Sequence, residues 1–323
     1  MNYSSSTAPT SLILDLDTGI DDALAIAYAL GSADAHLIGI TTTYGNVRTD
    51  QSVANSLAVL DLLGASDVPV FRGLTHARAS DSFEVSEISA FIHGRNGLGN
   101  VDLPASKRTA SEQSAVDFII EASKNIDDLV YVPTGPLTNV AAAIDKDPSI
   151  VDRLTVVLMG GAVSVAGNVN AYAEANISQD PEAADLVFRC GLHTTVIGLD
   201  VTLQTLLTRH ETQQWRDMGT RASTFCAEMT DYYITAYDTT APDLGGCGLH
   251  DPLAVAVALD PSLVGTHAMN LRVDCDEPTR GRTIGDPSRL NSPVKTAKVA
   301  LTVDAERFLA EFMNRVGSLV ASH

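Results

Sequence analysis

Short apolar runs rich in β-branched residues alternate along this chain with longer segments of helical periodicity, and that alternation leaves few folds open. Residues 12–15, 37–43, 129–132, 154–159 and 194–199 read as strands, with helical patterns at residues 20–30, 53–63 and 137–144. Strands that are apolar on both faces and separated by helices belong to a parallel sheet covered on both sides. From residue 202 the pattern is mainly helical until a late strand at residues 295–303 and a closing helix at residues 306–320. The predicted fold is α/β: a single domain over residues 12–323, with a mainly parallel, Rossmann-like open sheet flanked by helices and a helical C-terminal portion. Residues 1–11, rich in serine, read as a flexible polar tail. No fixed-period repeat or linker divides the 323 residues.

In such sheets ligands bind in the crevice beyond the carboxyl ends of the strands. The residues just after each strand therefore matter most, and there the first strand is unusual. Asp15, Asp17, Asp21 and Asp22 fall within eight residues at a strand-to-helix turn. Asp21 and Asp22 open a helix, where carboxylates favour the positive end of the dipole and cap free N–H groups. That role does not account for four together, because like charges this close repel unless a cation sits among them. Oxygen ligands without Cys or His point to Ca²⁺ or Mg²⁺ rather than Zn²⁺.

Two known acidic patterns fail here. An EF-hand loop begun at Asp15 would need an oxygen ligand, Gly and Glu at its fifth, sixth and twelfth positions; the chain has Gly19, Ile20 and Ile26. A haloacid-dehalogenase-type phosphatase expects Thr two places after its second Asp, where Gly19 stands and Thr18 is displaced by one.

Charge and composition narrow the partners. A formal net charge of −19 disfavours nucleic-acid backbones and anionic membranes. A small neutral substrate is compatible with it. The four cysteines, Cys190, Cys226, Cys247 and Cys275, have no CxxC spacing and read as free thiols in a reducing compartment. No apolar stretch has signal-peptide or membrane-spanning character, so the expected location is cytoplasmic.

The acidic turn resembles the signature of the inosine–uridine-type nucleoside hydrolases, Asp-x-Asp-Pro-Gly-x-Asp-Asp-Ala, with Thr18 in place of Pro. The resemblance continues in the family's order. Thr41-Thr-Thr-Tyr-Gly-Asn46-Val follows the second strand, and His93-Gly-Arg-Asn96-Gly-Leu-Gly is similar to the family's His-Gly-x-x-Gly-Leu-Gly loop. Pro133-Thr-Gly-Pro-Leu-Thr-Asn139 resembles the next strand end. Met159-Gly-Gly, Gly167-Asn168, Ala173-Glu-Ala-Asn176 and Asp180-Pro-Glu form a further block, and His250-Asp-Pro-Leu-Ala closes the set.

That resemblance implies hydrolysis of the N-glycosidic bond of ribonucleosides, by a calcium-bound water, to base and ribose in nucleoside salvage. It implies Ca²⁺ ligation by Asp17, Asp22, the main-chain carbonyl of Thr134 and Asp251, with Asp17 also the general base. Asp21 and Asn46 are then expected to hold the ribose hydroxyls. Asn168, Glu174 and Asn176 reach the remaining sugar edge, and Met159 lines the pocket. Asp15 is expected to steady the turn. His250 and His93 are candidates to bind or protonate the departing base, His250 as the catalytic acid. A homodimer or homotetramer is the assembly the family suggests.

Competing readings stay open at this level. Asp251 and Asp180 both precede Pro at a helix start and could be caps; for Asp180 the capping reading is the one taken. Glu174 lies in polar sequence and could be a solvated charge. Purine-specific members place Trp where His250 stands, and the one tryptophan, Trp215, lies in a polar helical segment. The resemblance is thus to broader or pyrimidine-accepting branches, although Asn96 and residues 237–247 fit no branch cleanly. An aspartyl phosphatase with Asp15 as nucleophile and a calcium-dependent nucleoside-binding protein without turnover are the rival functions.

Overall fold

The computed structural model describes residues 8–323, so residues 1–7 of the expected tail lie outside the described residues. Thr10 and Ser11, placed in that tail from sequence, already belong to the first strand. The central sheet has eight strands: β1 (Thr10–Leu16), β2 (Ala35–Thr42), β3 (Val70–Arg72), β4 (Val130–Pro133), β5 (Thr155–Met159), β6 (Thr194–Ile197), β7 (Val264–Met269) and β8 (Ala297–Val303). Their spatial order is β3-β2-β1-β4-β5-β6-β8-β7. Neighbours run parallel from β3 to β8, and only β7 is antiparallel, against β8.

Period-two alternation assigns β1 to two cores at once. Leu12, Leu14 and Leu16 enter one cluster with the Ile20–Leu30, His250–Leu259 and Ala305–Val320 helices. Ile13 enters the other, with the Ala115–Asn125, Thr138–Lys146 and Pro181–Arg189 helices. The Ile20–Leu30 helix is buried from Ile20 through Ala29, which explains its nearly unbroken apolar sequence after the acidic start.

Two parts of the sequence reading need correction. The three-residue β3 is too short to leave a pattern. The span after residue 202 is not mainly helical to its end, since it holds β7 and an antiparallel pair, Leu271–Val273 with Thr283–Gly285. The inner residues of β7, Gly265–Ala268, are exposed on the sheet edge, so no buried face imposed an apolar alternation on them.

The strand order reverses beside β1: the chain builds outward to β2 and β3, then returns to place β4 on the other side. Such a switch point opens a crevice at the carboxyl ends of β1 and β4. The acidic turn follows β1, and Thr134 follows β4.

Candidate active site

The turn after β1 is fixed from both sides. Thr18, standing where the family has Pro, shares hydrogen bonds with Ser56 Oγ at 2.7 Å and Ser52 Oγ at 3.1 Å. Asp22 reaches back along the first helical turn, its Oδ2 accepting from Gly19 N at 2.8 Å and Asn46 Nδ2 at 3.3 Å. Its Oδ1 accepts from Thr134 Oγ1 at 2.8 Å, which ties the start of the Ile20–Leu30 helix to the end of β4. Asp17 Oδ2 accepts from Asn46 N at 2.5 Å, while its Oδ1 has no partner.

Asp21, Asp22 and Asp251 converge, each offering a carboxylate oxygen, with those atoms all within 4.8 Å of one another. Asp251 is brought there by the His250–Leu259 helix, whose cap position is Leu249, so Asp251 is not an N-cap. Asp17 stands beside this trio and Asp21 inside it, although the resemblance gives Asp17 to the metal and Asp21 to the sugar. All four carboxylates are buried. Burial, with Asp22 adding repulsion, holds Asp17 well above the usual carboxylate range and lifts Asp21 to about 7. Burial also raises Asp22, and burial followed by repulsion from Asp21, Asp22 and Asp17 raises Asp251 strongly.

The residues fit a metal ion. Asp17 Oδ1 and Asp21 Oδ1 are buried without a hydrogen-bond donor, and repulsion among the carboxyls is relieved when a cation joins them. The donor set is entirely hard oxygen.

The sugar-side candidates form a second tier. Asn176 is buried, and its Nδ2 donates to Thr134 O at 2.7 Å and to Met159 O at 3.2 Å. The carbonyl proposed as a ligand from sequence is therefore already aligned by Asn176. Glu174 is no solvated charge: it is buried and caps the Ala175–Gln179 helix, accepting from Asn176 N and Ile177 N, and also from Gly161 N. Asn168 is exposed on the loop after β5, with Oδ1 accepting from Ala175 N at 3.0 Å.

Both histidines are buried and in place near the carboxylates. His93 Nδ1 accepts from Ile20 N at 3.3 Å and lies 3.8 Å from Asp21 Oδ1. Burial, aided by His250, lowers His93 to about 3, so it is neutral beside Asp21. His250 is lowered to about 4 by burial, with Nε2 2.6 Å from Tyr237 Oη and Nδ1 2.7 Å from Thr202 Oγ1. Tyr233 Oη donates to Asp21 Oδ2 at 3.2 Å. Tyr233, Tyr237 and Thr202 were not singled out from sequence. The tyrosines had a usable signal, a four-residue spacing that puts both on one face of the Arg221–Thr240 helix. Thr202 had none.

Three residues fall outside this constellation. Asp15 is fully buried, accepting from Thr41 Oγ1 at 2.7 Å and Asn139 Nδ2 at 2.8 Å. Two bonds on Oδ1 tie it to the neighbouring strand and the Thr138–Lys146 helix, and its Oδ2 is buried without a partner. Asp180 caps the Pro181–Arg189 helix as expected. Trp215 is buried against Phe312 in the core, and the carboxylates are not among its packing partners in the described residues.

Comparison with known proteins gives a consistent result. The family model described as inosine-uridine preferring nucleoside hydrolase matches residues 12–310. A probable uridine nucleosidase 2 of Arabidopsis thaliana is 37% identical, over 94% of this chain and 97% of its own length. The inosine-uridine preferring nucleoside hydrolase of Crithidia fasciculata is 36% identical, over 96% and 99%. Among solved structures, a purine-preferring ribonucleoside hydrolase from Gardnerella vaginalis superposes with a TM-score of 0.96 at 63% identity, covering 97% of this chain and 100% of that one. With a match across nearly the whole chain and the family's acidic turn at the switch point of its sheet, the protein belongs to the inosine-uridine preferring nucleoside hydrolase family.

Proposed function

We propose that this enzyme hydrolyses the N-glycosidic bond of ribonucleosides with Ca²⁺ as its metal, releasing free base and ribose. The observation that carries the reading is the convergence of Asp21, Asp22 and Asp251 beside Asp17, all buried where strand order reverses. Asp17, Asp22, Asp251 and the Thr134 carbonyl would hold the ion, with Asp21 either joining them or turning to a ribose hydroxyl. Held there, Ca²⁺ would orient and polarise a water for attack.

The chain's own groups do the rest. Asp17 Oδ1, free of any donor, accepts the proton of the attacking water. The buried carboxylates stabilise positive charge as the sugar becomes oxocarbenium-like. Asn46, Asn168, Glu174 and Asn176 orient the sugar, and Met159 lines the pocket floor. His250, neutral with Nε2 against Tyr237 Oη and Nδ1 against Thr202 Oγ1, relays a proton. The Tyr237 hydroxyl gives its proton to the departing base and takes one from Nε2–H, while Nδ1 takes one through Thr202, which solvent water resupplies.

Purine nucleosides are the preferred substrates in this reading. The 63% identity to a purine-preferring enzyme supports that more strongly than the 37% identity to a uridine nucleosidase supports the reverse. The absence of Trp at position 250 means that any stacking on the base comes from other side chains. Four free cysteines support a reducing, cytoplasmic setting for nucleoside salvage, and no described helix is long and apolar enough to cross a membrane. A homodimer or homotetramer is the proposed assembly.

Free ribose measured from a panel of purine, pyrimidine and 2′-deoxynucleosides tests the reading. Release from ribonucleosides, fastest with purines and negligible with deoxy sugars, is expected. No release from any ribonucleoside with Ca²⁺ present would overturn it, and faster release from uridine than from inosine would reverse the purine assignment.

A further inference from the structure

Asp200 is a buried carboxylate that the chemistry above does not use. It lies in the Leu199–Thr202 helical turn just after β6. Its Oδ2 accepts from Val163 N at 3.0 Å, and its Oδ1 accepts from Ser164 N at 2.6 Å and Ser164 Oγ at 2.5 Å. Leu199 N also donates to Gly161 O at 2.9 Å. The turn therefore grips the chain at the point where it leaves β5, and charge-assisted bonds of this kind are the strong ones.

What it grips is the segment carrying Asn168. Beyond Ser164 that segment presents exposed Val165, Val169 and Tyr172, so little apolar packing holds it. Its far end is held separately, by Asn170 Oδ1 accepting from Tyr172 N and Ala173 N and by Asn168 Oδ1 accepting from Ala175 N. Gly161 is held by Glu174 and Leu199, but the Val163 and Ser164 N–H groups enter no backbone–backbone hydrogen bond among the described residues, so beyond Gly161 it is Asp200 that anchors the near end.

We propose that Asp200 is a positioning residue for the sugar side of the site, fixing the entry of the 163–173 segment and hence the place of Asn168 without touching substrate. The proposal rests on the reading of Asn168 as a sugar contact. Releasing the near end lowers the fraction of molecules with the segment in place, and apparent affinity falls by that fraction. A contact made equally in ground and transition states moves KM and leaves kcat in place.

The test compares wild type, Asp200→Asn and Ser164→Ala in the full-length protein with Ca²⁺. Asp200→Asn keeps shape but sets an amide N–H₂ against a backbone N–H. It is expected to raise KM for a ribonucleoside by about tenfold or more, with kcat held within about threefold. Chymotryptic cleavage after Tyr172 should accelerate in parallel, and Ca²⁺ affinity should not change. Ser164→Ala, which removes only the hydroxyl bond, should shift KM in the same direction by a few-fold, and it carries the test if Asp200→Asn fails to fold. An unchanged KM with unchanged cleavage at Tyr172 would overturn the proposal, as would loss of Ca²⁺ binding. A wild-type protein that releases no ribose would sink the functional reading instead, while the cleavage assay would still report on the anchor.

Discussion

Tyr237 and His250 share a 2.6 Å hydrogen bond inside the protein, and Thr202 Oγ1 holds the other imidazole nitrogen at 2.7 Å. The ring is thereby fixed in orientation, and burial, which lowers its pKa to about 4, keeps it neutral at physiological pH. A neutral imidazole with a hydroxyl on each nitrogen can pass a proton without first becoming charged. His250→Ala and Tyr237→Phe are each expected to slow a natural nucleoside by roughly two to four orders of magnitude, the usual scale of general acid catalysis. Neither should slow a nitrophenyl riboside appreciably, because nitrophenolate departs unprotonated. Steady-state kinetics on both substrates decide the matter: equal losses would mean that the pair organises the metal site through Asp251.

The carboxylate cluster gives a second expectation. Asp22→Ala and Asp251→Ala each remove an oxygen donor from the converging trio and should weaken Ca²⁺ binding, read by titration calorimetry, with most activity lost. Asp17→Asn should lose turnover most severely, since it removes both a charged ligand and the carboxylate assigned to take the proton from water. Chelation of the wild type should abolish ribose release, and added Ca²⁺ should restore it. Full activity in Asp251→Ala would show that the metal sits elsewhere.

The acidic turn, its helix and the main parallel strands were legible because each is dictated locally. The helix expected at residues 20–30 is Ile20–Leu30, as its apolar run and acidic start require. Asp251 could not be assigned from local sequence, since Asp-Pro at a helix start looks the same at Asp180, where it does cap. What separates the two is the register of the helix: it starts at His250 in one case and after Asp180 in the other. Thr202 and Asp200 were invisible for a different reason. Their roles come from contacts with residues 48 and about 36 positions away, on segments that only the sheet brings together.

Stability of the metal-free protein should depend on pH in a direction opposite to ordinary acid denaturation. Burial raises Asp15 to about 6 and Asp21 to about 7, and raises Asp17, Asp22 and Asp251 as well, from an ordinary value of 3.8. Between the ordinary and the raised values the folded state holds protons that the unfolded chain has lost, so stability falls as pH rises. His93 and His250, lowered from 6.5 to about 3 and about 4, act with the opposite sign over the interval below 6.5. The five carboxyls outnumber the two histidines. Chelated protein is therefore expected to melt at a higher temperature near about pH 5.5 than near about pH 7.5, with saturating Ca²⁺ removing or reversing the difference. Thermal melts at both pH values, with and without Ca²⁺, test this; a metal-free protein that melts higher at the upper pH would contradict it.

The final expectation concerns a residue with no side chain at all. Gly45, between β2 and Asn46, has φ of 154°, and a Cβ built there would stand 2.0 Å from Asp17 Oδ2. The backbone must come this close for Asn46 N to donate to the same oxygen at 2.5 Å. Gly45→Ala therefore meets two obstacles: a conformation that costs a non-glycine residue about 1–3 kcal/mol, and a collision with the buried Asp17 carboxylate. Relief requires Asp17 to rotate or the loop to lift, and either breaks the Asn46 contact. The variant is expected to fold with a lowered melting temperature, to bind Ca²⁺ more weakly, and to lose activity out of proportion to its loss of stability. Gly219→Ala is the control, because Gly219 also has positive φ, at 71°, but a Cβ there meets nothing within 4 Å. It should lower stability by a comparable backbone cost and leave Ca²⁺ affinity and turnover intact. Equal effects of the two substitutions on Ca²⁺ affinity would show that Gly45 serves the loop alone and not the seating of Asp17.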